Sequence, residues 1–152
     1  MNKAYIVIAI LIAASTSPPQ ALQAQAPAEV IVVAADSIQF RPHPTEKDAR
    51  MAVLFGNPAE AGYFLMRIEF PPGWTGPPHM HPNAELLMVR SGACYVATGH
   101  DLSREAATEL PPGSFAAVPA RTPMRGFAGE EPCVVDVQGQ GPFTAGAVTA
   151  EE

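Results

Sequence analysis

Two histidines and a glutamate in one short stretch carry the chemistry of this chain. His79 and His81 lie two residues apart, and Glu85 follows after Pro82, Asn83 and Ala84. On a strand, a spacing of two puts both imidazoles on one face. Pro82-Asn83 turns the chain, and Glu85 opens the returning strand close enough to complete a cluster. Two imidazoles and a carboxylate converging from a hairpin are ligands for a divalent metal, with positions left open for water or substrate. The two-His-one-carboxylate set suits non-haem iron, and also manganese, zinc or nickel. Leu87 and Val89 share the Glu85 face and are expected to line the interior behind it.

These side chains need short strands to hold them, and the sequence is punctuated accordingly. It has 17 prolines and 12 glycines, too many for long helices. Tyr63 to Phe70 alternates, with Phe64, Met66, Ile68 and Phe70 on one face and Arg67 and Glu69 on the other. That is the pattern of a half-buried strand. Further strands are expected at Glu29–Val33, Met51–Phe55, Ala84–Val89, Ala93–Thr98, Ser114–Val118, Met124–Phe127 and Val134–Val137. Turns fall at Pro71-Pro72-Gly73, Ser91-Gly92, Gly99-His100-Asp101, Pro111-Pro112-Gly113 and Pro119 to Pro123. Residues 35–50 read as a loop or short helical turn, and Arg104 to Leu110 as a strand or one helical turn. Many short strands with closely spaced turns make a sandwich or barrel. At 152 residues the chain is the size of one domain.

The stretch from Gly73 to Gly92 resembles the first conserved motif of the cupin superfamily. That motif is Gly, five residues, His-x-His, three or four residues, Glu, six residues, Gly. Gly73, His79, His81, Glu85 and Gly92 fit it without a gap. The resemblance implies an all-β, single-domain jelly-roll β-barrel over residues 50–143, with the metal inside its mouth. An N-terminal strand and loop would occupy 27–49, and 144–152 would be a tail. The second motif of the family keeps Gly113 and Pro119. Arg121 stands where a glycine is usual, Met124 where a third histidine is usual, and Ala128 where an asparagine is usual. Met124 reads as an apolar filler, as a soft fourth ligand that would tilt the site towards copper, or as the mark of a barrel that has lost its metal and binds ligands through its other polar groups. Met66, Trp74, Leu87 and Phe115 are candidate pocket walls. Arg121, if it points inward, would pair with an acidic substrate. Barrels of this family often pair, so a homodimer is one expected assembly.

Other residues suggest less. His43 and His100 read as solvated loop histidines, and Tyr63 and Tyr95 as ordinary strand tyrosines. No nucleophile elbow, phosphate loop or dinucleotide fingerprint is present. The formal charge of −6 shows no basic patch, which argues against a nucleic-acid partner and for a small-molecule one.

Residues 1–26 have the layout of a secretory signal peptide: Lys3, an apolar run from Ala4 to Ala14, then a small-residue exit with cleavage between 24 and 28. The run is shorter than the about 20 residues that span a bilayer. The protein is therefore expected to be exported, periplasmic or secreted. In such a compartment Cys94 and Cys133 are either a disulfide or two small buried hydrophobes. Two functions follow. One is a metal-dependent enzyme of oxygenase type acting on a small organic molecule. The other is a non-catalytic binding or sensing module using the same pocket, with or without metal.

Overall fold

The computed structural model describes residues 30–148. The expected signal peptide, its cleavage site and the last four residues lie outside them. All the strands belong to the unit that begins at Val33. A short 3-10 turn at Ala35–Ser37 precedes β1 (Arg41–Pro42), β2 (Arg50–Phe55), β3 (Gly62–Phe70), β4 (His79–Met80), β5 (Glu85–Ser91) and β6 (Cys94–Thr98). Then follow β7 (Thr108–Leu110), β8 (Phe115–Val118), β9 (Met124–Ala128), β10 (Cys133–Gly141) and β11 (Gly146–Ala147). They form two antiparallel sheets, ordered β1-β2-β3-β10-β5-β8 and β11-β4-β9-β6-β7. This is the all-β jelly roll that the motif implies.

Alternation explains the packing. In β3, Phe64, Met66 and Ile68 are buried, while Tyr63 on the other face is exposed. In register, Ile68 faces Val135 and Met66 faces Val137 of β10, and Val137 faces Leu87 of β5. The core therefore runs along the inner face of the larger sheet and meets Cys94 and Ala128 of the smaller one. Cys94 and Cys133 are bonded to each other, their Cα atoms 5.3 Å apart, which joins the two sheets covalently. Of the two readings left open for these cysteines, the structure takes the disulfide.

Turn chemistry sets the strand ends. Gly92 closes the β5–β6 turn at φ +75° with the Pro132 carbonyl against its α-carbon, so a side chain there would collide with backbone.

Three expected elements differ. Residues 35–50, expected as a loop or short helical turn, hold the 3-10 turn and also β1, which pairs with β2. Val30–Val33 is exposed and forms no strand, because an apolar β-branched run has strand propensity but needs a partner ladder to be one. At the other end, the residues expected to be a tail include β11, which pairs with β4: Gly146 opposite Met80 and Ala147 opposite His79. No helix among the described residues is long and apolar enough to cross a membrane.

Candidate metal and ligand site

The motif residues converge, but not as a hairpin. β4 belongs to the smaller sheet and β5 to the larger, so the Pro82-Asn83 segment carries the chain from one sheet to the other. Asn83 anchors that crossing by donating its amide to the Gln140 carbonyl at 2.9 Å. His79 and Glu85 therefore line the same cavity from different sheets.

Both imidazoles are oriented by backbone carbonyls. Nδ1 of His79 lies 2.9 Å from the Pro77 oxygen, and Nδ1 of His81 lies 2.9 Å from the Thr144 oxygen. A carbonyl only accepts, so each Nδ1 carries the proton and each Nε2 keeps a lone pair. The rings meet edge-on with centroids 4.8 Å apart. The His81 ring also stacks on Phe143 at 4.0 Å. Burial holds the His81 pKa below the usual imidazole value, a tendency opposed by the Thr144 carbonyl and reinforced by His79.

Glu85 is 3% exposed. Its Oε2 lies 3.6 Å from His81 Nε2, too long for a hydrogen bond. Its Oε1 has no hydrogen-bond partner among the described residues. Burial pushes the Glu85 carboxyl up to about 7. Met124 is buried and stands directly opposite His79 in the β4–β9 ladder, so it points to the same side of that sheet.

These residues fit a divalent cation in kind. Two imidazoles present free Nε2 lone pairs with their other nitrogens tied to carbonyls, as ligating histidines do. A buried carboxylate beside them has an oxygen with nothing to bind. As placed, however, no group of three or more His, Cys, Asp or Glu side chains among the described residues is close enough to hold a metal ion. The donors are of the right type, and their convergence is incomplete.

Behind this cluster lies a cavity of about 490 Å³. Met66, Trp74 and Leu87 line it, together with His79, His81, Glu85 and Met124. Trp74 stacks on Phe70 with centroids 3.9 Å apart, and its ring edge fills the space that side chains at Gly76 and Gly126 would need. Phe115 and Arg121 do not line the cavity. Phe115 sits opposite Met88 on the outward face of the larger sheet and is 56% exposed, because strand β8 turns Ala116 and Val118 inward instead. Arg121 is exposed and acts through its backbone: its N–H donates to the His81 carbonyl at 2.7 Å. Its φ of 60° is left-handed, which explains why this position favours glycine.

Three contributors were missed from sequence. Phe143 and Thr144 orient His81 from the segment expected to be the barrel's end and a tail; an aromatic directly after the last long strand was the available signal. His43 is half-buried rather than solvated. It lines the cavity, and its Nδ1 accepts from the Thr45 and Glu46 amides at 3.3 and 3.1 Å. His100 is exposed. Tyr63 is 71% exposed, and the Tyr95 ring is covered by the Arg104 guanidinium.

Residues 66–137 match the family described as Cupin domain. Among solved structures, the chain is similar to the polyketide cyclase RemF from Streptomyces resistomycificus, with 19% identity and a TM-score of 0.63 over 82% of this chain and 89% of that one. It is also similar to the Cnp3 cupin domain of Schizosaccharomyces pombe, with 15% identity and a TM-score of 0.60 over 74% of each chain. A third is the DMSP lyase DddQ from Ruegeria pomeroyi, with 18% identity and a TM-score of 0.58 over 77% of this chain and 64% of that one. At these identities the likeness is one of fold. No curated protein sequence matches the chain.

Proposed function

The matched segment is a cupin-superfamily domain, and from that premise we propose that the protein is an exported, metal-binding cupin that transforms a small organic molecule in a reaction of oxygenase type. The observation that carries this reading is the meeting of His79, His81 and Glu85 in one cavity, both imidazoles tied to carbonyls through Nδ1, His81 Nε2 3.6 Å from Glu85 Oε2, and Glu85 Oε1 without a partner among the described residues. His79, His81 and Glu85 would hold the cation. The iron, manganese, zinc or nickel that suits such a set would supply a Lewis acid with open positions for substrate.

The chain's own residues do the rest. Pro77 and Thr144 fix the imidazole tautomers. The Arg121 N–H holds the backbone of His81. Apolar walls, Met66 and Leu87 among them, exclude water and strengthen every electrostatic contact at the polar end. Glu85, buried and slow to ionise, can keep a proton near neutrality and release it as a ligand arrives.

Export is supported by the leader pattern of residues 1–26 and by the Cys94–Cys133 bond, which suits an oxidising compartment. A second reading has its own observation. Met124 occupies the place of a third imidazole and the donors do not fully converge, as in a barrel that binds its ligand without metal.

Elemental analysis of the purified protein tests the first reading. One divalent cation per chain is expected, lost on joint His79→Ala and His81→Ala substitution. No bound metal after reconstitution with iron, manganese, zinc, nickel and copper in turn would sink it. Ligand affinity that survives a chelator would then favour the second reading.

A further inference from the structure

The cavity restricts what this protein can bind. Its walls come from the inward faces of both sheets and are mostly apolar, among them Ile68, Leu87, Val135, Val137, Trp74 and Phe143. Among the described residues, no lysine or arginine lines it. The carboxyl groups that do are those of Glu46 and Glu85. Arg121, the one cation placed by sequence to meet an acidic substrate, is exposed and engaged through its backbone only. In the metal-free barrel, a carboxylate or phosphate entering this cavity would lose its hydration, meet no lysine or arginine and approach a buried carboxyl.

Size narrows the class further. An apolar cavity of about 150 Å³ takes up one benzene. At about 490 Å³ this one has room for two to three rings. Its polar groups fall in two sets: His79, His81 and Glu85, and the segment of His43, Thr45 and Glu46 beside β2. A ligand seated on the first set needs a hydrogen-bonding edge there and an apolar body against the walls between the two. Trp74, held flat on Phe70, gives a ring face for stacking.

We propose that the ligand is an uncharged, two- to three-ring molecule, aromatic or alicyclic, with a hydroxyl or carbonyl on one edge that seats against His81 and Glu85, and that the metal-free barrel excludes anionic small acids. This deepens the proposed function and rests on the barrel interior being the ligand site; it does not depend on the metal.

The chain has a single tryptophan, Trp74, so intrinsic emission reports on this cavity alone. The full-length protein is titrated with N-phenyl-naphthylamine, then with naphthol, naphthoate and succinate as competitors at neutral pH. Each titration is run with chelator and again after metal loading, with metal content measured separately. The neutral probe is expected to quench Trp74, and naphthol to displace it. In chelator, naphthoate, the same ring system with a charge, is expected to bind at least about tenfold more weakly, and succinate not to compete. Leu87→Phe, which fills the cavity, should weaken the probe, while Leu86→Phe on the outward face of the same strand should not. Naphthoate binding as tightly as naphthol in chelator would overturn the proposal, as would a Trp74 emission that no neutral ring compound changes. Quenching by the neutral probe, together with no metal bound after loading, would leave the ligand class standing and the metal reading refuted.

Discussion

Replacing Glu85 by glutamine should remove a pH dependence of stability that the folded chain carries in its core. Glu85 is 3% exposed, has an unpartnered oxygen, and its carboxyl is raised by burial from 4.5 to about 7. Below the lower value the carboxyl is protonated in both folded and unfolded chains, and its contribution to stability is fully present. As pH rises, the unfolded chain ionises first, so it binds fewer protons than the folded one and stability falls. The loss is complete once pH has passed about 7. At about 1.4 kcal/mol per unit, the shift corresponds to roughly 3 kcal/mol. Burial lowers the pKa of His43 and of His81, so their neutral forms are favoured in the fold and their contributions to the pH dependence carry the opposite sign. The informative quantity is therefore the difference between the parent protein and Glu85→Gln. Urea unfolding of chelator-treated protein from pH 4.5 to 8 measures it. The parent should lose about 3 kcal/mol relative to the variant across that window. Equal pH profiles for the two proteins would show that the Glu85 carboxyl is solvated or paired in solution, and would refute the account of a desolvated acid.

Two further outcomes follow from the same geometry. The Cys94–Cys133 bond closes a loop with a sequence separation of 39, which by loop entropy stabilises the fold by about 4 kcal/mol; joint substitution to alanine should lower the urea midpoint accordingly, and an unchanged midpoint would show that the bond does not form. Met124→His, opposite His79 in the ladder, should tighten binding of zinc or nickel measured by competition with a chromophoric chelator. Unchanged affinity would place position 124 away from the donors.

The candidate site was legible in sequence wherever spacing alone decides geometry. His79 and His81 are neighbours because they are two apart in extended chain, and Met66 and Leu87 face inward because strands alternate. The same reasoning misplaced Phe115. Alternation says which residues share a face but not which face is inside, and β8 turns Ala116 and Val118 to the core. Arg121 failed for a different reason: its left-handed backbone, invisible in residue type, puts its N–H rather than its guanidinium to use.

Sequence by itself determined the strand pattern, the motif spacing and the identity of the donors, because each rests on local periodicity and residue chemistry. Tertiary structure decided the rest. It set His79 and Glu85 in different sheets around one cavity instead of along one hairpin. It joined Cys94 to Cys133 across the core and folded residues 143–147 back to orient His81. It left a cavity with no cation in its walls among the described residues. All of these depend on contacts between residues distant in sequence, and burial and pKa arise only when both sheets have closed around Glu85.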